Sequence, residues 1–266
     1  GAPARAARQS CHNSAAQPPD TAAELWTGRS AAAIVTRNGA FQTPGMRQKM
    51  DLPRRFSDLP EYAFPRLRRL LDGHPAGGEV VHMTIGEPRH PPPPFVAEAM
   101  AAAIAGFSVY PPNEGSAALL AAISAWLGRR YGVAAGPERI MALNGTREGL
   151  FGAVIALCPE SRRGRRPAVL MPNPFYQVYA VAALAAGAEP VYLPATAATG
   201  FLPDFAAVPA EVLERTAIAF LCSPSNPQGA VADAGYLAGL IGLAERHDFA
   251  LFADECYSEV WRDAPP

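Results

Sequence analysis

Short apolar runs that end abruptly on a Gly-, Asn- or Asp-bearing motif, and then give way to a helical pattern, recur along the second half of the chain. Ile140-Met141-Ala142-Leu143 precedes Asn144-Gly145-Thr146-Arg147-Glu148, and Ala168-Val169-Leu170-Met171 precedes Asn173-Pro174-Phe175-Tyr176-Gln177-Val178-Tyr179. Ala217 to Cys222 precedes Ser223-Pro224-Ser225-Asn226-Pro227-Gln228-Gly229, and Phe249 to Ala253 precedes Asp254-Glu255-Cys256-Tyr257. Pro190-Val191-Tyr192-Leu193 is a further strand-like run. Helical patterns at Glu148 to Leu157, Tyr176 to Ala186, Phe205 to Glu214 and Ala234 to His247 lie between them. Such alternation predicts an α/β fold with a mostly parallel sheet flanked by helices. In open α/β sheets, ligands bind at the carboxyl ends of the strands, which is where these motifs fall.

Upstream, Tyr62 to Leu71 reads as a short amphipathic helix, and Val80 to Ile85 as a strand-like run ending at Gly86-Glu87-Pro88. Pro91 to Pro94 opens a helix through Phe95 to Ala105, since proline is tolerated in a first turn. Ser116 to Arg130 is another helical pattern. Residues 1–50 are basic, rich in Ala, Arg and Ser, and without periodicity, which predicts a disordered or non-native tail.

An apolar fraction of 49% over 266 residues supports a sizeable core. A net charge of −1 gives no electrostatic reason to expect a nucleic-acid or anionic-membrane partner. No apolar run is long enough to span a bilayer. Cys11, Cys158, Cys222 and Cys256 lack metal-ligand spacing. Cys158 and Cys222 sit in apolar runs and read as buried free thiols of a reduced, cytoplasmic protein.

Gly145 permits a tight turn, and the backbone N–H groups and Thr146 hydroxyl that follow form a helix N-terminus able to take a phosphate. The same residues also fit plain helix capping. Tyr176 is placed to stack on a planar ring, whereas Phe175 and Tyr179 fit packing between helix and sheet. Asp254 follows five apolar residues, and a buried carboxylate needs a partner, such as a protonated ring nitrogen. Asn226 and Tyr257 fit hydrogen bonds to a phenolic oxygen on that ring, though singly each also fits a structural role. Together these residues describe the recognition of pyridoxal 5′-phosphate.

The set Gly145-Thr146-Arg147, Asn173-Pro174-Phe175-Tyr176, Asn226-Pro227-Gln228-Gly229 and Asp254-Glu255-Cys256-Tyr257 resembles the class I/II aminotransferases of fold type I. Thr84-Ile85-Gly86-Glu87-Pro88 and Tyr110-Pro111-Pro112-Asn113-Glu114-Gly115 are similar to that family's N-terminal blocks. More narrowly, the motifs resemble bacterial succinyldiaminopimelate aminotransferases of lysine biosynthesis. The resemblance implies a fold type I large domain over residues 86–266, incomplete, preceded at 51–85 by the N-terminal part of a small domain.

It also implies roles. Gly145, Thr146 and Arg147 would hold the cofactor phosphate, Tyr176 would stack on the pyridine ring, and Asn226 and Tyr257 would bind the phenolic oxygen. Asp254 would keep the ring nitrogen protonated, so Asp254 and Tyr257 are the expected catalytic side chains. Gly86 would lie near the substrate carboxylate. Tyr110 would reach the partner subunit's cofactor phosphate, which implies a homodimer. Small-molecule amino acids and 2-oxo acids would be the substrates. Gln228 departs from the family's usual Thr. The family's Schiff-base lysine, a second basic residue for the phosphate and a carboxylate-binding arginine would lie beyond Pro266, and the only lysine is Lys49. The resemblance therefore implies an N-terminal fragment that does not turn over alone. The PLP-binding effector domain of a transcription regulator shares this fold but would need a DNA-binding domain upstream. Other fold type I lyases or synthases fit the same motifs.

Overall fold

Four parallel strands, β1 (Ala168–Asn173), β2 (Glu189–Pro194), β3 (Thr216–Cys222) and β4 (Ala250–Asp254), form one sheet in the order β2-β1-β3-β4. The computed structural model describes residues 54–56, 59, 61–81, 83, 86 and 90–263, all within one unit, Arg54–Pro266. Seven helices accompany the strands among these residues. α1 is Ala63–Leu71, α2 Pro94–Ala102, α3 Ala117–Tyr131 and α4 Thr146–Leu157. α5 is Gln177–Ala185, α6 Ala210–Leu213 and α7 Ala234–His247. α5 carries the chain from β1 to β2, and α7 from β3 to β4, as parallel pairing requires a crossover.

The strands alternate between two cores. Val169, Met171, Ile218 and Phe220 pack with Val154 of α4 and with Tyr179, Ala180 and Ala183 of α5. Leu170, Ala219 and Leu221 point the other way, onto Leu240, Leu243 and Ala244 of α7 and onto Phe205 and Val208. Every residue of β3 is buried. Covered faces explain why these strands read as unbroken apolar runs rather than as apolar–polar alternation.

Helix boundaries follow local chemistry. The Ser116 side chain accepts from Leu119 N–H at the start of α3, and Asp233 does the same for Tyr236 N–H at the start of α7. Gly132, at φ 68°, ends α3 in the left-handed conformation.

Several expectations fail. Ile140–Leu143 is not a strand: Ala142 N–H bonds the Glu114 carbonyl at 3.1 Å, but Met141 is 71% exposed and no strand partner lies beside the run among the described residues. Met141, Ala142 and Leu143 instead line a cleft of about 730 Å³ with α4. The helix expected over Phe205–Glu214 shrinks to α6. Pro209 lacks an N–H and disfavours the α region at Val208, and the Asp204 carboxylate takes the Ala206 and Ala207 N–H groups into a turn. The α2 helix stops at Ala102 and continues as a 3₁₀ turn over Ile104–Ser108. Of the Val80–Ile85 run, Val80, Val81 and Met83 are exposed and outside any strand, while His82, Thr84 and Ile85 lie outside the described residues. So do residues 1–50 and Lys49. Cys222 is a buried free thiol as expected, but Cys158 is only half-buried.

Candidate active site

The first turn of α4 is left open. Gly145, immediately before it, sits at φ 112° and ψ 144°, on the side of conformational space that a Cβ disfavours. That turn of the chain starts α4 two residues before the helical pattern. No side chain caps this N-terminus, so its leading N–H groups keep the partial positive charge of a helix start. Beside it, the Arg147 guanidinium donates to the Tyr176 hydroxyl at 2.5 Å and stands 5.5 Å from the centre of that ring.

The C-terminal end of β4 brings Asp254 to the same edge. Its carboxylate is buried, 8% exposed. Oδ2 accepts from the Tyr179 O–H at 2.5 Å, and Oδ1 receives only a long contact, 3.4 Å, from Cys256 N–H. The Cys256 thiol in turn lies 3.4 Å from the Thr146 hydroxyl. Gly145, Thr146, Arg147, Tyr176 and Asp254 therefore form one contiguous cluster drawn from separate strand ends and loops.

Asn226 and Tyr257 meet directly: Asn226 Nδ2 donates to the Tyr257 hydroxyl at 3.0 Å. Burial is the largest influence on the Tyr257 phenol and pushes it above its ordinary value, with Asn226 opposing. The O–H is thus retained as a donor at neutral pH. These two side chains line a cleft of about 760 Å³ together with Gly86, Gly229 and Trp261. Tyr110 stands apart from all of this on the surface, 98% exposed.

Sequence reasoning assigned Tyr179 to packing, and it does pack: its ring stacks on Phe220 at 4.2 Å. What it missed is the bond from its hydroxyl to Asp254. The signal was present, because a buried tyrosine O–H needs an acceptor, and Tyr179 lies one helical turn from Tyr176. Trp261, too, was not singled out.

The turn that carries Tyr257 is tied to the end of α3. Glu259 accepts from Arg130 Nε at 2.9 Å and from the Tyr131 hydroxyl at 2.5 Å. Hydrogen bonding, first from Tyr131 and then from Arg130, holds the Glu259 carboxyl below its ordinary value. A depressed folded-state pKa contributes stability above the unfolded value and loses it as pH falls through the folded one. Glu259→Gln should therefore unfold at lower urea than the parent at pH 7, and the gap should close below about pH 4, near the ordinary glutamate value. A gap that stays constant with pH would exclude the charge of Glu259 as its source.

The family model for aminotransferase class I and II matches residues 78–265. The chain belongs to that family. The chain is 35% identical over 218 residues to LL-diaminopimelate aminotransferase of Moorella thermoacetica, covering 80% of itself and 55% of the relative. It is 36% identical over 219 residues to the protein of the same name in Desulforudis audaxviator, with the same coverage. Among solved structures, it matches an aminotransferase from Neisseria meningitidis with a TM-score of 0.75 and 35% identity, covering 80% of this chain and 55% of that one. It matches a Thermus thermophilus aspartate aminotransferase variant with a TM-score of 0.67 and 28% identity, covering 81% and 56% respectively. The chain thus spans about half the length of the relatives it matches. Its parallel sheet flanked by helices is the arrangement of fold type I aminotransferases, a family that depends on pyridoxal 5′-phosphate.

Proposed function

We propose that this chain forms the cofactor-binding part of an enzyme that moves an amino group between an amino acid and a 2-oxo acid. The observation that carries the reading is one cluster holding an uncapped helix start, an adjacent arginine and a buried carboxylate with an oxygen to spare. Those features fit pyridoxal 5′-phosphate at both of its charged ends. Gly145, Thr146 and Arg147 would hold the phosphate dianion, by backbone N–H, hydroxyl and guanidinium. Tyr176, already held by Arg147, would cover the ring face. Asn226 and Tyr257 would donate to the phenolic oxygen, and Asp254 would accept the proton-bearing nitrogen through Oδ1. Bound there, the cofactor supplies an electron sink for the charge left when a substrate's α-proton departs.

The protein's own contribution is electrostatic. Asp254 is fixed in place before any ligand arrives, so its charge needs no reorganisation when it is used. Tyr257 keeps its proton and offers it to an oxygen that gains charge. Gly86 would leave room in the shared cleft for the substrate carboxylate. Residues 51–85 would begin a small domain and residues 86–266 would belong to the large one. Tyr110, exposed here, would serve the phosphate of a second subunit in a homodimer. The names of the relatives favour a diaminopimelate as amino donor, without the succinyl group that the narrower resemblance implies.

The test is to load the full-length protein carrying this chain with pyridoxal phosphate and follow glutamate formation from 2-oxoglutarate. LL-diaminopimelate, N-succinyl-diaminopimelate and aspartate would be compared as donors. LL-diaminopimelate is expected to be used best. Glutamate from none of the three, in a protein that binds the cofactor, would overturn the reading.

A further inference from the structure

Tyr179 does more than fill the space between α5 and the sheet. It is fully buried, and its ring is gripped from two sides. Phe220 of β3 lies parallel to it, 4.2 Å away at 12°, and Tyr176 meets it edge-on at 5.8 Å and 90°. So held, the ring can aim its hydroxyl in few directions, and the hydroxyl meets Asp254 Oδ2 at 2.5 Å. Burial first, and then the bond to Asp254, push the phenol well above the ordinary tyrosine range. The proton therefore stays on Tyr179 and the carboxylate is the acceptor.

The cysteine and tyrosine groups facing this pair are neutral. Cys222 of β3 and Cys256 of the turn after β4 are both pushed up by burial and remain thiols, and Tyr257 keeps its O–H. The nearby charged group is Arg147 of α4, whose guanidinium donates to the Tyr176 hydroxyl.

We propose that Tyr179 is a positioning residue for Asp254, pinning Oδ2 so that Oδ1 is presented to the ring nitrogen of the cofactor. The inference rests on the reading in which pyridoxal phosphate occupies this cluster. A carboxylate on a strand end can rotate about its side-chain bonds, and any rotation away costs the hydrogen bond it would otherwise make to a cationic nitrogen. One phenol bond to a single oxygen removes that freedom and leaves the second oxygen for the ligand.

Tyr179→Phe tests this, because it keeps the ring, the stack and the burial and deletes only the hydroxyl. In the full-length protein, two quantities are read by absorption titration: affinity for pyridoxal phosphate, and the pH above which the bound cofactor loses its ring-nitrogen proton. The variant should bind about tenfold more weakly, as expected for one charge-assisted hydrogen bond. Its deprotonation should move down by about 1 pH unit, the same free energy expressed as a pKa. In an Asp254→Asn background, Tyr179→Phe should add almost nothing, since the two act as one unit. An unchanged pH profile in Tyr179→Phe, or full additivity with Asp254→Asn, overturns the inference alone. Failure of the unsubstituted protein to bind pyridoxal phosphate overturns both it and the reading on which it rests.

Discussion

Asp254→Ala in the full-length protein is expected to slow removal of the substrate α-proton by about 10²–10³-fold, the cost typical of deleting one preorganised electrostatic partner. The cause is local. Asp254 is buried at the end of β4, and the Tyr179 hydroxyl donates to its Oδ2. Alanine leaves the nitrogen of a bound pyridine facing a site that no longer stabilises its proton. A neutral ring withdraws electrons poorly. Asp254→Glu keeps the charge but displaces it by one methylene, so it should retain part of the rate. The measurement is exchange of the α-hydrogen for deuterium, followed by NMR alongside turnover. Exchange at the parental rate in Asp254→Ala would end the catalytic assignment of this residue.

The sequence disclosed the parts of this fold whose local and tertiary preferences agree. β1, β3 and the helix α7 were legible because their apolar residues are buried where the pattern says, and Asp233 caps α7 in the ordinary way. Ile140–Leu143 has the same composition as a strand, but strands exist only in pairs, and its neighbour is a single backbone bond to Glu114. Nothing within four residues can report that. Phe205–Glu214 misled for the opposite reason: Pro209 did carry the signal, and the apolar spacing around it outweighed it. At the site, Tyr176, Asn226, Asp254 and Tyr257 were legible because each follows the end of a strand, whereas Gly145 to Arg147 follow a run that pairs with no strand and reach the site through the start of α4. The partner of Asp254 was harder to see. Tyr179 and Asp254 are 75 residues apart, and only the β1-to-β3-to-β4 order of the sheet makes them neighbours.

Phe220→Ala should destabilise the fold by about 3–5 kcal/mol, the range for emptying a buried aromatic site. Phe220 is fully buried at the middle of the sheet. It stacks on Tyr179 and contacts Phe252 of β4 at 5.5 Å between ring centres. Alanine would open a cavity bounded by strands whose backbone pairing resists collapse, so little of the lost contact can be regained. Urea unfolding followed by circular dichroism measures the loss, with Val260→Ala as comparison. Val260 is 75% exposed, and truncating it should change stability by no more than about 0.5 kcal/mol. A loss at Phe220 no larger than that at Val260 would place this ring outside the core. The loss should also reach the site, because the ring that Phe220 supports is the one that holds Asp254. Even where Phe220→Ala remains folded at low temperature, its affinity for pyridoxal phosphate should fall at least as far as that of Tyr179→Phe.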